Sequence, residues 1–230
     1  MVDKTIPNHL GLILDGNRRW ARAQGLPTLE GHRRGYDNLR TIAEAAFNAG
    51  VKYVSAYIFS TENWNRSQEE VGYLMKLVLN IASKELDDLI NKNIKIVFLG
   101  TEDRLSKAVR NAVRDAEERS KNNDGGTLAL CFNYGGRLEI VDAVKKMAAE
   151  GVDWSNIDES TITQHLYHAD VPDVDFMIRT SGEQRLSNFM LWRISYSELL
   201  FVDKHWPAFT VEDLQAALDE YDSRQRRFGK

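Results

Sequence analysis

Only one cysteine occurs in the 230 residues, so no intramolecular disulfide can brace this chain, and a reducing compartment suits it. That residue, Cys131, lies in the apolar run Leu128–Phe132 and reads as a buried structural thiol rather than a nucleophile. No stretch approaches the ~20 apolar residues that span a bilayer. Met1–Pro7, with Asp3 and Lys4, lacks the apolar core of a signal peptide. A cytoplasmic protein is expected, with peripheral contact at a membrane surface left open. Positive charge is not in excess either: the formal net charge is −4, which offers no field for nucleic acid. Any anion site must therefore be a local cluster of cations. Neither a GxGxxG nor a Walker-type loop occurs, which sets aside the common nucleotide-binding modules. Internal repeats and Pro/Ser-rich linkers are missing as well, so residues 1–230 are read as a single domain.

What is present alternates. Short aliphatic or β-branched runs at Leu10–Leu14, Tyr53–Phe59, Ile94–Leu99, Thr127–Phe132, Val174–Ile178 and Leu199–Val202 are apolar almost throughout. Strands covered on both faces of a parallel sheet have that character. Helical patterns lie between or after them, at Glu30–Asn48, Gln68–Asn91, Arg104–Lys121, Gly136–Ala149, Ser160–Tyr167 and Val211–Arg226. The alternation predicts an α/β fold with a central, mostly parallel sheet of about six strands. Ser67-Gln-Glu-Glu70 and Thr210-Val-Glu-Asp213 place a hydroxyl three residues before a carboxylate, the capping-box spacing. The helix after Ser67 spreads apolar residues over more than one stripe, so it is either a central core helix or the wall of an apolar tunnel.

Ligands of open α/β sheets bind beyond the carboxyl ends of the strands. Asp15-Gly-Asn-Arg-Arg-Trp20 follows the first run. Gly16 permits close backbone approach, Arg18, Arg19 and Arg22 supply charge-assisted donors, and Asp15 among them suits a Mg²⁺ held against a diphosphate. Asp15 as a helix cap is the structural alternative. Phe59-Ser-Thr-Glu-Asn-Trp-Asn-Arg66 follows the second run, with Ser60 or Thr61 as a cap and Trp64 as packing for its structural reading. Arg179-Thr-Ser-Gly-Glu-Gln-Arg-Leu-Ser-Asn188 follows the fifth, and its arginines and Ser187 suit a second diphosphate. Cys131-Phe-Asn-Tyr-Gly-Gly-Arg137 repeats the pattern of strand, glycine and arginine.

Asp15–Trp20, Gly31-His32, Phe59–Trp64, Asn133–Arg137, Arg179–Phe189 and Tyr196-Ser-Glu198 together closely resemble the cis-prenyltransferases, the family typified by undecaprenyl diphosphate synthase. The matches run in family order from His9 to the terminal Arg227-Phe-Gly229. The resemblance implies a homodimer with an apolar tunnel, working on isopentenyl diphosphate and an allylic prenyl diphosphate such as farnesyl diphosphate. It implies catalytic roles for Asp15 and Asn63, and Mg²⁺ held by Asp15 and Glu198. Gly16, Asn17, Arg18, Arg19, Trp20, His32 and Arg66 fall in the allylic diphosphate region. Ser60, Thr61, Glu62 and Trp64 fall in the segment that places the condensing unit, and Arg179, Arg185 and Ser187 grip isopentenyl diphosphate. The terminal Arg-x-Gly resembles a tail that reaches into a partner's site.

Departures bear on the product. Thr28 stands where an arginine often helps hold the allylic diphosphate, and Gln184 where some members have a metal-binding histidine. Ile58 replaces a smaller tunnel-wall residue of long-chain members, so a Z-product shorter than undecaprenyl is the alternative. A non-catalytic accessory subunit is the alternative of another class, and the retention of Asp15 and Asn63 argues against it. His9, His165, His168 and His205 show no metal-ligand spacing, and Trp154, Trp192 and Trp206 read as packing residues. Arg224–Arg227 suits a helix end or anionic lipid.

Overall fold

Six apolar segments form one parallel sheet in the order β3-β4-β2-β1-β5-β6, as the alternation predicts. The structure, a computed structural model, describes residues 4–83 and 86–224. The strands are β1 (His9–Ile13), β2 (Tyr53–Ser60), β3 (Ile94–Leu99), β4 (Gly126–Tyr134), β5 (Phe176–Arg179) and β6 (Glu198–Phe201). The helices are α1 (Asn17–Ala23), α2 (Thr28–Asn48), α3 (Gln68–Ile81), α4 (Leu86–Asn91), α5 (Lys107–Ser120), α6 (Gly136–Glu150), α7 (Glu159–His165) and α8 (Val211–Ser223). Side chains alternate across the pleat. Leu10 and Leu12 of β1 join Val54, Ala56, Leu128 and Leu130 under α2, α3 and α8, while Ile13, Ala129, Cys131 and Met177 enter a second core with Phe189, Met190 and Ile194. Two apolar layers account for strands without a polar face.

The pattern of Gln68–Asn91 does not form one helix. Ser83 ends α3: its N–H donates to Asn80 O at 3.4 Å and its hydroxyl to Leu79 O at 2.5 Å, a local alternative to the helical ladder. Near Ser67 only half of the predicted box forms. Ser67 Oγ accepts from Glu70 N at 3.3 Å, but the Glu70 side chain turns to His32 and Arg66. The Thr210–Asp213 box is complete. The third helical pattern starts at Lys107 instead of Arg104, because Ser106 caps Val109 N and Arg104 adopts φ 65°. The exposed edge of β3 is covered from α5, where Glu117 accepts from Phe98 N at 2.7 Å and Ser120 Oγ from Ile96 N at 3.0 Å. Such cover blocks pairing with another strand.

Cys131 is fully buried and its thiol is pushed up by burial, as expected of a structural cysteine. His9 is also buried, between Pro172 O and Ser55 Oγ, and burial lowers its pKa to about 4. Trp206 is buried and donates to Gly35 O at 2.7 Å. Trp154 is a correction: it is 57% exposed, so it does not pack. No helix among the described residues is long and apolar enough to cross a membrane.

Candidate active site

The segments after β1, β2 and β5 meet at one rim because their parent strands are neighbours. Leaving β1, the chain holds Asp15 by its backbone: Asp15 O accepts from Thr180 Oγ at 2.7 Å and from Trp206 N at 3.0 Å. Gly16 follows at φ 103°, a conformation costly for any residue with a Cβ. A Cβ there would also lie 2.6 Å from Ser181 Oγ and 2.9 Å from His205 Nδ1. No side chain caps the first turn of α1, so the capping alternative for Asp15 is not what the chain adopts. Gly31 and Gly35 let α2 lie against Asn17. A Cβ on Gly31 would sit 2.2 Å from Asn17 O, and one on Gly35 would sit 2.3 Å from Asn17 Oδ1.

The Asp15 carboxylate faces two guanidiniums. Its Oδ2 accepts from Arg179 Nη2 at 2.8 Å and its Oδ1 pairs with Arg19 Nη2 at 3.1 Å. Burial alone would raise the Asp15 pKa, but Arg179 and Arg19 outweigh it and hold the carboxyl below the usual range. Arg179, only 3% exposed, also donates to Ser187 Oγ at 2.8 Å and to Arg185 O. Its Nε is buried without a partner.

A second cluster lies across the cleft. Glu70, which sequence reasoning assigned to a helix cap, accepts from His32 Nε2 at 2.9 Å and Arg66 Nη1 at 2.8 Å, with Arg18 at 3.8 Å. Burial, reinforced by Arg66 and Arg18, outweighs Glu70 and lowers the His32 pKa, so the ring is neutral at pH 7. A carboxylate accepts only, so Nε2 carries the proton.

Both clusters border one cleft of about 650 Å³. Arg18, Arg19, Arg22, Arg66 and Arg185 line its mouth with Asp15, Glu70 and Glu183, and Asn63 and Thr28 also reach it. Leu39, Ile58, Phe59, Leu74, Leu77, Val78 and Ile81 line its throat. α3 is therefore a tunnel wall. A bulge in β2 at Tyr57–Phe59 brings Ile58 and Phe59 to the same apolar side. A further cavity of about 370 Å³ lies on the other side of the Tyr36, Leu39 and Ile81 walls and is also lined by Phe47 and Leu128.

Several predicted residues hold the rim, and of these Asn63 alone also lines the cleft. Ser60 and Asn63 form a reciprocal cap on the Thr61–Asn65 turn, with Ser60 N donating to Asn63 Oδ1 at 3.2 Å. Trp64 packs on Phe59, lies under Arg104 and donates to Asn133 Oδ1 at 2.7 Å, as in its packing reading. Glu62 accepts from Asn188 Nδ2 at 2.9 Å, and Asn188 Oδ1 accepts from Arg137 N at 2.8 Å. Asn188 thereby joins three rim segments. Trp20 and Thr61 do not line the cleft.

Glu198 stands apart from Asp15 within one chain. It pairs in register with Phe176 at the start of β5, whereas Arg179 and Asp15 lie at the other end, three rungs or ~10 Å further along. Within one chain Glu198 meets Arg224 at 3.1 Å and does not join Asp15. Among the described residues no three His, Cys, Asp or Glu side chains converge as a metal cage. One carboxylate beside two arginines still fits Mg²⁺, which is held by one or two carboxylates plus substrate phosphates. The terminal Arg227–Gly229 lies outside the described residues.

A parallel α/β sheet with an arginine-lined mouth and an aliphatic throat defines a binder of molecules with a polyanionic head and a hydrocarbon tail. Residues 13–229 match the prenyltransferase family described as undecaprenyl diphosphate synthase. A decaprenyl diphosphate synthase of Mycobacterium tuberculosis is 46% identical over 97% of this chain and 77% of that protein. A ditrans,polycis-undecaprenyl-diphosphate synthase specific for (2E,6E)-farnesyl diphosphate, from Micrococcus luteus, is 43% identical over 97% and 92%. The crystal structure of lavandulyl diphosphate synthase from Lavandula x intermedia, in complex with dimethylallyl diphosphate, superposes with a TM-score of 0.93 at 37% identity, covering 97% of this chain and 98% of that one. The chain belongs to the undecaprenyl diphosphate synthase family and is a cis-prenyltransferase.

Proposed function

We propose that this chain condenses isopentenyl diphosphate units onto farnesyl diphosphate to give a Z-polyprenyl diphosphate, most simply undecaprenyl diphosphate, the lipid carrier precursor for cell-wall synthesis. The observation that carries this reading is a single cleft with five arginines at its mouth and an aliphatic throat behind them. In the first step the allylic C1–O bond breaks, and Arg18, Arg19 and Arg66 neutralise the departing diphosphate. The throat keeps water from the cationic C1. The isopentenyl double bond, placed by Arg179, Arg185 and Ser187, forms the new C–C bond, and one proton leaves its C2. Asn63 is an amide whose Oδ1 already accepts from Ser60 N, so it positions rather than deprotonates, and a diphosphate oxygen takes the proton. Asp15 is the residue to hold Mg²⁺, which when bound neutralises diphosphate charge. Chelating the metal with EDTA is expected to stop elongation, with Mg²⁺ restoring it.

The test is to supply the protein with Mg²⁺, labelled isopentenyl diphosphate and farnesyl diphosphate, then size the products and assign their double bonds. A ladder of Z-products supports the reading. No elongation from farnesyl, geranyl or dimethylallyl primers rejects it in favour of an accessory subunit.

Ile58 favours a second reading of product length, because it is one of the aliphatic side chains lining the throat. Ile58→Ala is expected to move the product distribution longer by at least one isoprene unit, read by chromatography of the dephosphorylated alcohols. An unchanged distribution removes Ile58 from length control. The homodimer and a membrane contact for product release belong to the same reading. Exposed Val141, Val144 and Tyr196 supply apolar surface for such contacts, and analytical ultracentrifugation and vesicle flotation test them.

A further inference from the structure

Glu183 has no part in the chemistry above, yet its carboxylate lies in the cleft between two of the groups that chemistry needs. One oxygen accepts from Arg19 Nη1 at 2.8 Å and the other from Arg185 Nη1. On the proposed function, from which this inference takes the identity of the two sites, Arg19 serves the allylic diphosphate and Arg185 serves isopentenyl diphosphate. A single carboxylate therefore spans both anion sites. The turn that presents it, Ser181-Gly182, has φ of 82° and 74°, and the Ser181 carbonyl also accepts from Arg19 Nη1 at 3.3 Å. The Glu183 side chain is 29% exposed, so water is at hand to solvate it once displaced.

We propose that Glu183 is an internal counter-anion shared by the two diphosphate sites, closed on Arg19 and Arg185 in the free enzyme and pushed aside when a diphosphate arrives. Two consequences follow from linkage. The first diphosphate to bind breaks the bridge, so the second binds guanidiniums already freed, and the two sites couple positively. After each condensation the returning carboxylate competes with inorganic pyrophosphate for the same guanidiniums. An enzyme that adds many units must clear pyrophosphate after each one.

The test is calorimetric titration of inorganic pyrophosphate into the whole protein without prenyl substrate, comparing wild type, Glu183→Gln and Glu183→Asp. Glu183→Gln removes the competitor and should tighten pyrophosphate about tenfold, the scale of two partly exposed ion pairs. Glu183→Asp keeps the charge but is one methylene too short to touch both guanidiniums, so it should tighten binding several-fold as well. An Asp variant that binds like wild type shows a plain charge effect and overturns the bridge, as does a Gln variant with no gain. Wild-type protein that binds no pyrophosphate at all would instead reject the diphosphate reading of the cleft, and this inference with it.

Discussion

Asp15→Ala should lower kcat by about 10³-fold or more, the scale of losing a preorganised electrostatic group in an active site, while the protein still folds and still binds pyrophosphate. Among the described residues Asp15 is the only carboxylate paired with Arg179, and it also faces Arg19. Its removal leaves two guanidiniums with more capacity for anions, so diphosphate affinity should hold or rise. The deficit must then fall on kcat rather than on KM. Some stability should be lost, because Arg179 gives up its carboxylate partner, but the fold should survive, since Arg179 keeps Ser187 Oγ and Arg185 O as acceptors and Asp15 is partly exposed. The pH dependence has a definite sign. Arg179 and Arg19 depress the Asp15 pKa in the fold, so Asp15 contributes stability above its unfolded value of ~3.9 that is lost as pH falls through the folded value. Wild-type rate should therefore show no Asp15 titration from pH 6 to 8. Single-turnover kinetics with thermal melts in parallel decide the matter. A well-folded Asp15→Ala protein within tenfold of wild-type turnover removes Asp15 from the mechanism.

The strands were legible because burial on both faces makes them apolar runs, and β3 matches its predicted bounds of Ile94–Leu99. Helix ends were less legible, because they depend on local hydrogen bonds such as that of Ser83 to Leu79 O. The arginines of the site could be read because each follows a strand that the alternation locates. Asp15 could be read with them, but the acidic partners Glu70 and Glu183 could not. Glu70 has the spacing of a capping residue, and only the approach of α2 to α3 shows that it serves His32 and Arg66. Asn188 and Glu183 sit in an irregular segment with no periodicity, where Ser187, Asn188 and Met190 all have positive φ. The distance of Glu198 from Asp15 was illegible for a related reason: a strand's bounds do not say which end of the sheet a residue occupies until the register with β5 is known.

The largest stability effect is expected far from the substrate, at Arg193. Its side chain is 1% exposed and that of its partner Glu139 is 0% exposed, with Arg193 Nη1 2.5 Å from Glu139 Oε1. The guanidinium also donates to Val171 O at 3.2 Å and Tyr167 O at 2.6 Å, and Glu139 accepts from Tyr134 Oη. Nothing in the sequence marks the pair, since residues 54 apart meet only through the fold. Arg193→Met keeps most of the volume but leaves Glu139 buried without a counter-charge and strips the Val171, Tyr167 and His168 carbonyls of a donor. Breaking a buried pair by removing one partner costs about 3–5 kcal/mol, or a fall in Tm of roughly 10 °C for a chain of this size. The uncompensated Glu139 carboxyl should then have a raised pKa, so the folded variant takes up a proton on acidification. Its deficit against wild type should therefore shrink as pH falls from 8 to 5, the direction required when the folded state binds the proton more tightly. Pairing the change with Glu139→Leu should restore much of the loss, because a buried ion pair replaced by apolar groups is close to neutral, although the Val171, Tyr167 and His168 carbonyls stay without that donor. Denaturant melts across that pH range, for both single variants and the double, separate the two terms by their non-additivity. A pH-independent deficit in Arg193→Met would show that lost packing, and not the stranded charge, sets the cost.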